Sequence, residues 1–368
     1  MAIKRVLITA GGTGGHLYPA QGLAQQLIKK LDPSAVLFVA GGLNTSRYFD
    51  RTAFAFQEVA CHPLVTKNPI KFLKGLNCLV KGMMQSRQIL KNYQPDVVVG
   101  FGSYYTVSTL LAAKSLGIPI LLHEANSIPG QANQWLSKLA HTVALHFPST
   151  ASLMKGKAPC IEVGLPLREG YSLEAVNKNE ALNYFQLGEE RQTWLVCGGS
   201  QGARAINDLM KQVLPILNPQ NIQVIHLTGD PQASEELKIC YANAQIPACV
   251  KPFEKRMDFA WRAADAFVGR AGASTIAEAM EFEVPGILIP YPFATHQHQE
   301  KNADFLVETV QAAYKTVEQT LTPQELALLI HSLTKTTQLD TFRTALQQYK
   351  QRPHRIDLCQ LIFKMGDS

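Results

Sequence analysis

Twice in this chain, about half its length apart, a short apolar run breaks into a glycine-rich turn that feeds a helical pattern. The first is Val6-Leu7-Ile8-Thr9-Ala10, followed by Gly11-Gly12-Thr13-Gly14-Gly15-His16. The second is Thr193-Trp194-Leu195-Val196-Cys197, followed by Gly198-Gly199-Ser200-Gln201-Gly202 and a helix from Ala203. Such a turn exposes backbone N–H groups beside the positive end of a helix dipole, a ready place for phosphate or a sugar hydroxyl. Further apolar strands are expected at 35–40, 96–100, 118–122, 142–145 and 160–163, then at 222–227, 248–251, 265–268 and 286–290. Most show no polar alternation, as parallel strands covered on both faces require. Helical patterns at 15–30, 103–115, 129–138, 202–213, 256–262, 273–281 and 297–307 complete a βαβ alternation. The predicted fold class is α/β, with two Rossmann-like, doubly wound parallel-sheet domains.

A chain of 368 residues exceeds one ordinary core and suits two domains. They are expected at 1–164 and 165–340, joined through Gly164-Leu165-Pro166-Leu167-Arg168 and a polar, hinge-like stretch from Leu173 to Glu190. A helical tail over 341–368, broken near Pro353, is expected to pack back on the N-terminal domain. No apolar run approaches the ~18–20 residues that cross a bilayer. Lys4 and Arg5 precede too short an apolar run for a signal peptide, so the chain is expected to stay in the cytoplasm. The seven cysteines are scattered without a Cys-x-x-Cys pair, which points to reduced, buried thiols and no zinc site. Charge is uneven: residues 1–160 carry 16 Lys/Arg against 5 Asp/Glu, whereas 161–368 carry 19 against 24. An anionic partner is therefore expected at the N-terminal half.

Several segments could carry chemistry. The first turn lacks Gly-x-Gly-x-x-Gly spacing, and strand two ends in Ala40-Gly41-Gly42 rather than an acid, which weakens a dinucleotide reading. His16 beside an anion site points to proton transfer; a tight structural turn is the alternative. The second turn, with Ser200, is the better diphosphate cradle. His123-Glu124-Ala125-Asn126 follows a strand, so its carboxylate and amide are placed at the sheet's carboxyl edge to orient a sugar or act as base. A purely hydrogen-bonded loop is the alternative there. Gly100-Phe101-Gly102-Ser103-Tyr104 turns at the same edge.

In the second half, Gly269-Arg270-Ala271-Gly272 leads into Ala273, Ser274, Thr275, Ile276, Ala277 and Glu278. Small residues let a ligand reach that helix N-terminus, and Glu278 can accept from two vicinal hydroxyls such as those of a ribose. Dipole complementation is its structural alternative. His296 and His298 alternate without a third ligand, so no metal site is expected, and Gln299 reads as an amide for sugar hydroxyls. No Asp-x-Asp pair occurs; helix dipoles and N–H groups fit the leaving-group role instead. Lys67 to Lys91 carries Lys67, Lys71, Lys74, Lys81, Arg87 and Lys91 without one acid, among Ile70, Phe72, Leu73, Leu76, Leu79, Met83 and Met84. That amphipathic stretch suits an anionic lipid surface or, alternatively, a core-facing helix with a solvated basic face. Aromatic residues there are too few for nucleic acid.

Together these segments resemble the MurG family of glycosyltransferases, which complete lipid II for peptidoglycan. The matching runs are Gly11–His16, His123–Asn126 with Pro129-Gly130, Gly164–Arg168, Gly198–Ala203, Arg270–Glu278, and His298-Gln299-x-x-Asn302-Ala303. The resemblance implies a GT-B architecture whose two domains face a cleft. It implies inverting, metal-independent transfer of N-acetylglucosamine from UDP-GlcNAc to the muramic acid 4-hydroxyl of lipid I, a polyprenyl-pyrophosphate-linked muramyl peptide. No cofactor is implied, and the place of action is the cytoplasmic face of the plasma membrane, without nucleic acid. Thr13, Gly14, Gly15, Asn126, Arg168, Ser200, Ala273 to Glu278 and Gln299 would contact the donor. Backbone near Phe253 and Glu254 would read uracil, and Gly102, Ser103 and Tyr104 would face the acceptor. His16 is the candidate base, with Glu124 the second choice. The membrane patch would be Ile70, Lys71, Phe72, Leu73, Lys74 and Leu76.

This chain departs from the family at two places. After Gly102 the family usually shows another glycine and a Tyr-Val-Ser-Gly-Pro type run; here Ser103-Tyr104-Tyr105-Thr106-Val107-Ser108 stands. Glu254-Lys255-Arg256 replaces a commoner Ile-Asp-Asp pattern. A GT-B transferase for another acceptor, a nucleotide-sugar-binding protein without catalysis and a dinucleotide oxidoreductase are the competing readings.

Overall fold

The structure is a computed structural model and describes residues 2–63, 69–199, 202–352 and 356–367. Lys67 and Ser200 lie outside the described residues, as do the side chains of Ile70 and Lys71. The chain divides into two compact units, Met1–Glu169 with Pro353–Ser368, and Gly170–Arg352.

In the first unit, β1 (Val6–Thr9), β2 (Val36–Ala40), β3 (Phe56–Glu58), β4 (Val97–Gly100), β5 (Ile120–Glu124), β6 (Thr142–Leu145) and β7 (Cys160–Glu162) form one parallel sheet. Its order is β3-β2-β1-β4-β5-β6-β7. Helices α1 (Gly14–Lys30), α2 (Pro69–Tyr93), α3 (Val107–Ser115) and α4 (Gln131–Leu136) belong to it. Successive strand side chains point to opposite faces, and both faces are covered. Val6, Ile8, Phe38, Val97 and Val99 pack with Leu17, Leu23 and Leu27 of α1. Leu7, Leu37, Val39 and Val98 pack with Leu90 of α2 and Leu110 of α3. Two-sided burial is why these runs lack polar alternation.

In the second unit, β8 (Gln192–Cys197), β9 (Ile222–Leu227), β10 (Ala248–Lys251), β11 (Ala266–Gly269), β12 (Gly286–Leu288) and β13 (Ala313–Lys315) form a parallel sheet. The order is β10-β9-β8-β11-β12-β13. Its helices are α5 (Lys178–Tyr184), α6 (Arg204–Val213), α7 (Pro231–Asn243), α8 (Met257–Ala263), α9 (Ala273–Glu281), α10 (His298–Asp304), α11 (Pro323–Thr334) and α12 (Thr336–Lys350). The last helix, α13 (Leu358–Asp367), returns to the first unit, where Leu358, Cys359, Leu361 and Ile362 join the core beside α1. Ile356 bridges Val163 just beyond β7.

Each sheet starts in its middle, runs outward for two strands and then crosses to the other side. That reversal leaves a crevice beyond the carboxyl ends of the first and fourth strands, where ligands of open α/β sheets bind. In the first unit Thr9 pairs Gly100 at that point; in the second, Cys197 pairs Gly269. All four glycine turns singled out in the sequence lie there.

Local differences have physical causes. The strand expected at 118–122 begins after Gly117 (φ +70°) and Pro119 and runs to Glu124, so His123 and Glu124 are buried strand residues rather than loop residues. The hinge-like polar stretch contains α5, capped by Asn177, whose side chain accepts from the N–H groups of Asn179 and Glu180. Residue 340, the expected end of the second domain, falls inside α12. The helix expected over 297–307 is divided. His296 (φ +54°) and Gln297 (φ +56°) are left-handed before α10, and Phe305–Thr309 forms a wide π turn after it.

Candidate active site

In the first unit the loops after β1 and β4 meet at the crevice. Gly12 has φ +89°, a value open to glycine. Thr13 caps α1 with an extended backbone and no side-chain cap bond, so no side chain seals the first N–H groups of that helix. Gly14 is buried, and a Cβ there would sit 2.9 Å from the Tyr18 ring, whereas Gly15 is exposed with only the Thr13 hydroxyl nearby. His16 is half-buried, its Nδ1 3.5 Å from Thr13 Oγ1. Burial pushes its pKa down to about 4, which leaves the imidazole neutral and able to accept a proton at pH 7. His123, its ring tilted 40° to that of Phe101 with centroids 4.9 Å apart, is held down to about 3 by burial and by the neighbouring His16.

Glu124 is 3% exposed, and its carboxylate organises the loop beyond β5. One oxygen accepts from the backbone N–H of Asn126 (2.9 Å); the other accepts from the N–H of Gly130 (3.1 Å) and from Asn133 Nδ2 (2.8 Å). Burial raises its pKa against those hydrogen bonds. Asn133 in turn supports Gly102, where a Cβ would lie 2.7 Å from the amide atoms. Ser103 then adopts φ +74° and ψ 158°, a region otherwise left to glycine, at a cost of about 1–3 kcal/mol. Its carbonyl accepts from the N–H and hydroxyl of Thr106 (3.2 and 2.9 Å), which holds the turn. Ser103 thus holds a left-handed conformation that glycine adopts more readily. Tyr104 is exposed and stacked on Tyr105. Arg168 lies 4.9 Å over the Tyr18 ring, and its segment approaches α1 at Gly22, where a Cβ would meet the Leu167 carbonyl at 2.7 Å.

In the second unit, Gly199 (φ +82°) and Gly202 (φ +71°) shape the turn that leads to α6. A Cβ on Gly202 would lie 2.4 Å from the Thr228 carbonyl, so the turn sits directly on the loop after β9. Asn207 ties α6 to that loop by donating to Thr228 O (3.0 Å) and meeting His226 Nε2 (3.0 Å), whose Nδ1 meets Tyr241 OH (3.0 Å). Among the described residues, the N-cap positions Ala203 of α6 and Gly272 of α9 supply no side-chain cap. In α9 the side chains of Ile276 and Ala277 are buried and the Ile276 N–H already bonds Gly272 O, so a ligand would meet the N–H groups of Ala273 to Thr275 and the side chains of Ser274, Thr275 and Glu278. Glu278 accepts from the buried Trp261 indole at 2.6 Å, which fixes the carboxylate. Gln299 Oε1 accepts from Tyr291 N (3.0 Å). Asn302, fully buried, donates to Ala271 O (3.1 Å) and so ties α10 to the turn before α9. Glu254 is buried, and its side chain is occupied by Lys251, Tyr184 and the Arg256 N–H, leaving backbone as the readable surface near Phe253.

Models of the glycosyltransferase family 28 N-terminal and C-terminal domains match residues 6–145 and 193–354. A Protochlamydia amoebophila protein named UDP-N-acetylglucosamine–N-acetylmuramyl-(pentapeptide) pyrophosphoryl-undecaprenol N-acetylglucosamine transferase is 58% identical over 99% of this chain and 96% of its own. This chain belongs to the MurG family. A Chlamydia pneumoniae protein of the same name is 33% identical over 90% of this chain and 89% of its own. The crystal structure of Acinetobacter baumannii MurG covers 98% of both chains at 27% identity and TM-score 0.76. A UDP-glucose:anthocyanidin 3-O-glucosyltransferase, 15% identical at TM-score 0.66 over 100% of this chain and 98% of its own, shares the GT-B fold. Against the MurG pattern, the supports missed in the sequence are Asn133, Asn207, His226 and Trp261. Nothing local marks them, because each works through a partner at least nine residues away.

Proposed function

We propose that this chain transfers N-acetylglucosamine from UDP-GlcNAc to the muramic acid 4-hydroxyl of lipid I, giving lipid II. The observation that carries the proposal is the division of chemistry between the two crevices. One presents a neutral imidazole beside an uncapped helix; the other presents two uncapped helices and a carboxylate fixed by an indole. The relative from Protochlamydia amoebophila is named for this transfer.

In the reaction, the acceptor oxygen attacks the anomeric carbon as its bond to the UDP oxygen breaks, and UDP leaves with that electron pair. One displacement inverts the centre. His16 takes the hydroxyl proton; Glu124 is the weaker candidate because both its oxygens already accept N–H groups. Helix N-termini at α6 and α9 stabilise charge growing on the diphosphate, Glu278 holds the ribose and Gln299 the sugar hydroxyls. The deciding experiment is transfer from labelled UDP-GlcNAc to a lipid I analogue with and without chelator. Transfer undiminished by chelator is expected; no transfer to lipid I overturns the acceptor assignment, and transfer abolished by chelator overturns metal independence.

The same reading places the protein on an anionic membrane surface through α2. Among the described residues no helix is long and apolar enough to cross a membrane. On α2, however, Phe72, Leu73, Leu76, Val80 and Met84 are exposed, Leu73 by 64% and Met84 by 69%. Their spacing of about four residues draws one stripe, flanked by Lys74, Lys81 and Lys91. The opposite face packs so closely at Gly82 that a Cβ would lie 2.2 Å from the Ala60 carbonyl. Replacing Phe72, Leu73 and Leu76 by Ser is expected to release the protein from anionic vesicles in a sedimentation assay while leaving the melting temperature unchanged. Unchanged sedimentation removes α2 from the interface.

A further inference from the structure

Tyr105 follows the Ser103 turn beyond β4, and its ring is enclosed by glycines from two other loops. A Cβ on Gly11 would lie 2.5 Å from Tyr105 Cβ and 2.7 Å from Cγ. One on Gly12 would lie 3.5 Å from Cε2, and one on Gly42 3.2 Å from Cε1. One edge of the ring therefore runs along Gly11 and Gly12 in the turn after β1, while the other edge meets Gly42 in the turn after β2. Both Gly12 (φ +89°) and Gly42 (φ +73°) hold left-handed backbone where they meet it. On its exposed side the ring is covered by Tyr104, with centroids 4.1 Å apart and planes at 29°. Its own position is set by the strained Ser103 turn, which Thr106 clamps. Gly12 is followed directly by Thr13, the first residue of the turn that aims α1 and His16.

We propose that Tyr105 is a positioning residue for the transfer reaction, its ring serving as the template on which the Gly11–Thr13 turn folds and so setting where the His16 imidazole stands. The proposal rests on the reading of His16 as the base. It assigns no contact between Tyr105 and substrate. The ring supplies shape and the hydroxyl is dispensable, so Tyr105→Phe and Tyr105→Val have opposite outcomes.

The test measures kcat, the KM for each substrate and the UDP-induced rise in melting temperature for Tyr105→Phe, Tyr105→Val and His16→Ala. It also follows the His16 titration by NMR of histidine-labelled protein. Tyr105→Phe is expected to match the parent. Tyr105→Val is expected to lose about 10- to 100-fold in kcat, the scale of a displacement of about 1 Å, with the UDP response of the second unit unchanged. Its His16 titration is expected to rise from about 4 toward the ordinary histidine range as the ring resolvates; Thr13 and His123 are the neighbours that the titration also senses. Parental kcat together with an unchanged His16 titration in folded Tyr105→Val overturns the proposal. If that variant does not fold, Tyr105→Leu is read by the same two criteria. A parental rate in His16→Ala overturns the base assignment instead. The NMR readout then still decides whether Tyr105 positions the imidazole, because it needs no turnover.

Discussion

Replacing His16 by Ala lowers kcat by about 10²- to 10⁴-fold, the usual worth of a positioned general base, while UDP binding stays parental. The expectation follows from where the ring stands. It lies within the first turn of α1, whose positive end disfavours a second positive charge, and burial already holds its pKa down to about 4. The free base is therefore the working form across the neutral range. Activity governed by His16 should be flat above about pH 5 and fall as pH drops through about 4. Stability follows the same sign. His16, His123 and His226 are all pushed down by burial, to about 4, 3 and 3, whereas the unfolded chain titrates them near 6.5. Between those limits the unfolded state binds more protons, so their contribution is full above pH 6.5 and is lost as pH falls toward 3. Denaturant melts at pH 7 and pH 4.5 check this; equal stability at both would contradict it. A His16→Ala enzyme turning over at the parental rate would move the base elsewhere.

Replacing Glu278 by Ala raises the donor KM by about 10- to 100-fold or more, since hydrogen bonds to a charged group are each worth about 1.5–3 kcal/mol. The carboxylate is prepared for that work: the Trp261 indole fixes one oxygen at 2.6 Å, and Trp261 is itself buried under the sheet. The substitution also orphans the indole N–H, so a loss of about 1–3 kcal/mol in stability accompanies it. Trp261→Phe separates the two effects. It keeps an apolar ring and the carboxylate but removes the indole donor, so its donor KM should rise less than that of Glu278→Ala. Calorimetric titration with UDP checks both variants. An unchanged donor KM in folded Glu278→Ala would remove the ribose role.

Most strands were legible because a parallel strand covered on both faces is mostly apolar, even though β9 buries Gln223 and His226 within its run. β9 and β10 run over the residues expected. β3 and β13 were not legible, since three edge residues carry no period. The helix α7 was missed although Asp230-Pro231 announces it: Asp230 accepts from Ala233 N and Pro231 needs no donor in the first turn. In the candidate site, the glycine turns could be read from the chain because left-handed backbone at Gly12, Gly102, Gly199 and Gly202 favours glycine. What Glu124 does could not. A carboxylate at the end of a strand reads as chemistry in the sequence, whereas the structure shows both its oxygens accepting N–H groups of Asn126, Gly130 and Asn133. Tyr105 shows the converse case, a large residue whose meaning comes only from the three glycines that fold around it.

The return of α13 to the first unit has a consequence for how the protein is made. Leu358, Cys359, Leu361 and Ile362 share a core with Leu17 and Leu23, contacts more than 300 residues apart in the chain. On the ribosome, the unit that emerges first is the one that must wait. The whole of Gly170–Arg352 leaves the exit tunnel before the last helix can cover the apolar side of α1. During that interval the early half is the vulnerable species, open to chaperones and to aggregation. Folding of the first unit therefore closes on Leu358–Asp367, well after His16, the proposed base, has been synthesised.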